Sequence, residues 1–123
     1  MTTILVVDDD NTFRTMLQEM LGKEGFRVLV AASGTQALTL LESQSPDLIM
    51  TDILMPDGDG IELINTLNQR NSPIPIIAMS GGRRSISLEF NLESAELMGV
   101  KATLPKPFTR EALRRVLGET LHP

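Results

Sequence analysis

Five short apolar runs, each followed by hydrophobic residues at helical spacing, constrain this chain more than any other feature. The runs are Ile4-Leu5-Val6-Val7, Phe26 to Ala31, Leu48-Ile49-Met50, Ile76-Ile77-Ala78-Met79 and a weaker Lys101 to Leu104. Between them, Phe13, Met16, Leu17, Met20 and Leu21 mark a first one-faced helix that Gly25 ends. Ala37, Leu38 and Leu41 mark a second helix behind the N-cap candidate Ser33, and Ile61, Ile64 and Leu67 a third. Leu88, Leu92, Ala95 and Met98 mark a fourth, closing at Gly99, and Leu113, Val116, Leu117 and Leu121 a last one. Strands alternating with helices predict an α/β fold whose parallel sheet carries helices on both faces. The runs are continuously apolar rather than alternating, as in strands buried on both sides. No linker or low-complexity tract interrupts the 123 residues, so a single domain over 1–123 is expected.

The remaining segments read as connections. Asp10 is expected to cap or turn, and Met55-Pro56-Asp57-Gly58-Asp59-Gly60 is dense in turn formers, with Asp57 and Asp59 as turn and N-cap residues. Ser80 to Ser85 reads as a loop, with Arg83-Arg84 a solvated pair. Pro105-Lys106-Pro107 separates the last strand from the last helix. The seven methionines read as core filler and His122 as a tail residue.

Composition narrows the chemistry. Cysteine is absent and His122 is the single histidine. Thiol catalysis, Cys-ligated zinc and Ser-His-Asp chemistry are thereby set aside. The net charge of -5 argues against direct nucleic-acid binding. The N-terminus has no basic region ahead of its apolar run, and no stretch approaches the roughly 20 apolar residues of a membrane helix. A cytoplasmic protein without membrane contact is expected.

In open parallel sheets, ligands gather beyond the carboxyl ends of the strands. Asp8, Asp9 and Asp10 follow the first run, Asp52 the third, Ser80 the fourth and Lys106 the fifth. Two like charges 4 Å apart repel by about 4 kcal/mol at an effective dielectric near 20. Carboxylates converging there call for a cation, and an all-oxygen set suits Mg2+. Carboxylates beside a hydroxyl and a lysine read as a phosphoryl site. The nucleophile is then a carboxylate or Ser80, and Asp52, alone at the end of a buried strand, is the best candidate.

At this point the sequence resembles the receiver domain of bacterial two-component response regulators, stand-alone or excised and chemotaxis-regulator-like. The resemblance runs from Ile4 to Leu121 and rests on Asp8-Asp9, Asp52-Ile53-Leu54-Met55-Pro56 with Gly60, Ser80, and Lys106-Pro107-Phe108. It implies a flavodoxin-like, doubly wound fold with strand order 2-1-3-4-5. It implies Asp52 as phosphoacceptor, Asp9 as a direct Mg2+ ligand, Asp8 acting on the metal mainly through water, and the Leu54 carbonyl completing the ligands. Ser80 and Lys106 would each bind a phosphoryl oxygen, the latter helped by a cis Lys106-Pro107 bond. The chain would catalyse its own phosphorylation and dephosphorylation. The donor would be a sensor histidine kinase, a histidine phosphotransfer protein or a small acyl phosphate. An unidentified downstream protein would read the surface of the fourth predicted helix, the last strand and the last helix. No output domain follows Leu121, which implies a stand-alone receiver or a piece of a longer protein.

The chain departs from that pattern at Thr103, where the family usually places Tyr or Phe. Signalling is therefore expected through the helix predicted between Leu88 and Met98. Leu54 and Gly82 offer no side chain to orient a hydrolytic water, which implies slow self-dephosphorylation. The competing reading is a haloacid-dehalogenase-like phosphatase with Asp8 as nucleophile and Asp10 as acid. That reading leaves Asp52 without a role, and the acidic motif expected after the lysine is missing.

Overall fold

The apolar runs become strands because each can bury both of its faces. The computed structural model describes residues 1–56, 59–81 and 99–122. Its elements are β1 (Thr3–Val7), α1 (Asn11–Lys23), β2 (Arg27–Ala31), α2 (Gly34–Leu41), β3 (Leu48–Asp52), α3 (Asp59–Gln69), β4 (Ile76–Gly81), β5 (Ala102–Lys106) and α4 (Arg110–Leu121). All strand pairs are parallel, in the order β2-β1-β3-β4-β5 expected from the resemblance. Gly82, Arg83-Arg84, Asp57 and the helix predicted through Leu88 and Met98 lie outside the described residues.

Successive strand residues point to opposite faces, so β1, β2, β3 and β4 feed two cores, while the edge strand β5 adds Ala102 and Leu104 to one of them. Leu5, Val7, Ile49 and Ala78 pack with Ala37 of α2 and Leu63, Ile64 and Leu67 of α3. Ile4, Val6, Leu48, Met50, Ile77 and Met79 pack with Leu17 and Leu21 of α1 and Leu113, Val116 and Leu117 of α4. Fully burying one such side chain contributes about 1.5–3 kcal/mol.

Local chemistry sets most helix ends. Asp10 caps α1, its Oδ1 accepting from the Phe13 N–H at 3.1 Å. Ser33 caps α2 through the Gln36 N–H, and Thr109 caps α4 through the Ala112 N–H. Gly25 leaves α1 at φ +90°, a conformation that costs glycine least.

Several expectations need correction. Asp59 is the first residue of α3, and its carboxylate accepts from the Gly34 N–H at the start of α2 instead of capping its own helix. Met16 and Ile61 are exposed, at 42% and 36%, while Leu63 enters the core. Met1 is exposed as well, whereas Met50, Met55 and Met79 are buried. Ser80 and Gly81 belong to β4, and β5 continues through Pro105 to Lys106, with Ser80 in register with Pro105 and Gly81 with Lys106. Proline is tolerated there because β5 is an edge strand.

Candidate functional site

β1 lies between β2 and β3, so the chain reverses its direction of travel across the sheet at the β1–β3 pair. The carboxyl ends of those two strands carry Asp8 and Asp52, and the next strands outward add Ser80 and Lys106. Sheet pairing brings the four residues to one edge.

Asp8 is fully buried. Its N–H donates to the Ala31 carbonyl at 3.1 Å, extending the β1–β2 ladder by one residue. Its Oδ1 accepts from the Asp10 N–H at 2.9 Å, and its carbonyl accepts from Arg14 Nη1 at 2.8 Å. Asp52 ends β3 with 6% of its surface exposed. Its Oδ1 accepts from the Leu54 N–H at 2.9 Å, and its carbonyl accepts from the Thr51 hydroxyl at 3.0 Å.

Lys106 joins the two acids. Its Nζ donates to Asp8 Oδ2 at 2.6 Å and to Asp52 Oδ2 at 3.1 Å. Asp8, half-buried Asp9 and Asp52 each offer a carboxylate oxygen, all within 4.8 Å of one another. This all-oxygen cluster can bind a metal ion. Burial pushes the Asp52 carboxyl above its ordinary value, and the neighbouring Asp8 charge adds to the rise. The Lys106 ammonium and the Leu54 N–H oppose it.

Ser80 is also fully buried, one residue beyond Met79, the register partner of Asp52. Its Oγ makes no hydrogen bond among the described residues. An unpaired buried hydroxyl costs about 1–3 kcal/mol, so this one stands ready for an acceptor. The Lys106-Pro107 peptide bond is cis. Half-buried Thr103 lies in β5 opposite Ala78.

Sequence reasoning missed two contributors. Arg14 has no part in the sequence reading, yet its guanidinium donates to the Asp8 carbonyl. Phe13 reads as a core position, yet its ring centroid lies 4.1 Å from Lys106 Nζ. Both sit in the first turn of α1 directly after the acidic run, and that proximity was the available signal. Among the described residues, no helix is long and apolar enough to cross a membrane.

Comparison with known proteins agrees with this arrangement. The family described as "Response regulator receiver domain" matches residues 4–118. The transcriptional regulatory protein CpxR of Klebsiella pneumoniae is 39% identical over 117 residues, covering 94% of this chain and 48% of that protein. The alkaline phosphatase synthesis transcriptional regulatory protein PhoP of Bacillus subtilis is 36% identical over 92% of this chain and 46% of its own length. The chain thus spans about half the length of these curated relatives. Among solved structures, the receiver domain of the Francisella response regulator 1452 superposes with a TM-score of 0.82 at 29% identity, covering 97% of this chain and 96% of that one. The Vibrio cholerae chemotaxis protein CheY4 gives 0.84 at 28% identity and 98% coverage of both chains.

Proposed function

The chain belongs to the response regulator receiver domain family, and on that premise we propose that it is a phosphorylation-controlled switch of a two-component system with Asp52 as the phosphoacceptor. The observation that carries the reading is the gathering of Asp8, Asp9 and Asp52 around one edge, with Lys106 Nζ bonded to two of them.

An oxygen of the Asp52 carboxylate attacks the phosphorus of the donor. A P–O bond forms as the donor's P–N bond, in a phosphohistidine, or acyl P–O bond breaks. Lys106 pairs with one oxygen of the transferred group, and the Ser80 hydroxyl donates to another. Asp8, Asp9, Asp52 and the Leu54 carbonyl would hold Mg2+, which when bound supplies positive charge against the incoming phosphoryl oxygens. The all-oxygen donors and their mutual spacing fit that ion. With Asp52 phosphorylated, the Ser80 and Lys106 contacts favour one of two conformations of the β4–β5 edge. A useful switch requires only a few kcal/mol of such preference.

The donor is a sensor histidine kinase or a histidine phosphotransfer protein of the cytoplasm. The reader is a protein that docks on the face containing β5 and α4. That Lys106 engages Asp52 as well as Asp8 gives Asp52 a place in the site, which the dehalogenase-like phosphatase reading leaves without a role. The test is incubation with Mg2+ and acetyl phosphate, followed by mass mapping. One phosphoryl group on Asp52, lost in Asp52→Asn, is expected. A phosphoryl group on Asp8, or undiminished labelling of Asp52→Asn, would refute the assignment.

A further inference from the structure

The chain has four phenylalanines and no tyrosine or tryptophan, and two of those four rings meet beside Lys106. Phe13 and Phe108 pack edge to face, with centroids 5.7 Å apart and planes at 87°. The Lys106 Nζ lies 4.1 Å from the Phe13 centroid, well inside the roughly 6 Å over which a ring face attracts a cation.

We propose that Phe13 is a positioning residue that holds the Lys106 ammonium at the acidic edge through the face of its ring. The inference deepens the proposed function and rests on its reading of Lys106 as a partner of the phosphoryl oxygens. A lysine is a point charge on a flexible four-carbon stem, and without a restraint it samples solvent. Here the side chain is only 14% exposed, and two of its contacts are to Asp8 and Asp52. An alkyl neighbour in place of Phe13 would desolvate the ammonium and return nothing electrostatic. A ring face compensates for the lost water while making no hydrogen bond that transfer would have to break. The ammonium can then pass from a carboxylate oxygen to a phosphoryl oxygen with little displacement.

The ring is tied to both chain segments that the site brings together. The Phe13 N–H donates to Asp10 Oδ1 at 3.1 Å, so the ring moves with the turn carrying Asp8 and Asp9. Phe108, two residues beyond Lys106, braces it from the other segment.

The experiment replaces Phe13 with progressively fluorinated phenylalanines, which keep the shape and weaken the face, and separately with Leu and Tyr. Two quantities are read: the NMR shift of the Lys106 ε-methylene protons, and the rate of Asp52 phosphorylation by acetyl phosphate in Mg2+. Wild type and Phe13→Tyr should show ring-shifted Lys106 signals, and Phe13→Leu should lose them. The rate should fall in graded steps with fluorination, by about twofold to thirtyfold in all, at nearly constant Tm. In a Lys106→Ala background the Phe13 substitutions should add nothing. A flat fluorination series, an undiminished Phe13 effect without Lys106, or unshifted Lys106 protons in wild type would each overturn the inference. A wild-type chain that takes no phosphoryl group on Asp52 would instead overturn the proposed function. That failure is visible before any Phe13 variant is made, and the proton shift still decides where the ring sits.

Discussion

Gly60→Ala should damage this protein where Gly118→Ala improves it, although both glycines lie in helices. A Cβ at Gly60, the second residue of α3, would stand 2.1 Å from the Asp52 carbonyl oxygen and 2.9 Å from the Ile53 Cα. Both atoms are backbone of the segment that carries the proposed phosphoacceptor, so neither can rotate away. Real Cβ contacts essentially never fall below 3.0 Å, so α3 and the end of β3 must separate by at least 0.9 Å (3.0 minus 2.1). Overpacking of this kind costs about 1–3 kcal/mol. At roughly 4 °C per kcal/mol for a chain of this size, Tm should fall by about 4–12 °C. At Gly118, inside α4, an added Cβ meets nothing within 4 Å. There the alanine preference of helices, about 0.5–1 kcal/mol, should raise Tm by roughly 2–4 °C. Thermal unfolding followed by circular dichroism measures both. Because a 1 Å misplacement near reacting atoms can cost on the order of a hundredfold, Gly60→Ala should also slow labelling by acetyl phosphate well below its melting range. If both variants gained stability, the close approach of α3 to Asp52 would not be what requires glycine at position 60.

Two further predictions concern pH. The Asp52 carboxyl is raised above its ordinary value of 3.8 by burial first, so between 3.8 and its native value the folded chain binds the extra proton and stability falls as pH rises. Asp52→Asn should therefore be more stable than wild type at pH 7, with the gain shrinking as pH falls toward 3.8. Urea titrations across pH test this, and a pH-independent difference would contradict it. Glu24, at the end of α1, accepts from Arg114 and Arg110 of α4, and these hydrogen bonds lower it from 4.5 to about 2. Its contribution is present above pH 4.5 and is lost as pH falls toward 2. Glu24→Gln should melt below wild type at pH 7, and the gap should close across that window.

What the sequence made legible follows from what is local. An apolar run ending in Asp8-Asp9 or Asp52 marks a strand and its polar end together, and in a parallel sheet all such ends share one edge. Asp10 and Ser33 were readable as caps because a cap bonds only two or three residues ahead. The misreadings are non-local. Asp59 looks like a cap for the helix it precedes, but its partner Gly34 belongs to another helix. Ser80-Gly81 and Pro105-Lys106 have the composition of loops, and only their pairing with each other makes them strand. Helical spacing gave Met16 and Ile61 the right period, but it does not say how wide the buried stripe is. Phe13 does pack against the core, but its contact with Lys106 was out of reach because that lysine lies near the far end of the chain.

The choice between Asp8 and Asp52 as acceptor separates the switch from the phosphatase, and the environments of the two acids differ in the way that choice needs. Asp8 shows no surface to solvent, and Lys106 and the Asp10 N–H hold its two oxygens at 2.6 and 2.9 Å. Neither Asp8 oxygen reaches solvent. Asp52 keeps 6% exposure at the start of the turn into α3, and its Lys106 contact is longer, at 3.1 Å. The burial that raises its carboxyl also makes its oxygens more basic, which strengthens them as nucleophiles once ionised. These contrasts support the proposal that Asp8 holds the lysine in place and Asp52 reacts. This division of labour predicts that in the metal-free protein the Asp52 carboxyl titrates above its ordinary value of 3.8, as followed by carbon NMR of the side chain. An Asp52 carboxyl that titrates at or below that value without metal would mean that burial does not govern its ionisation.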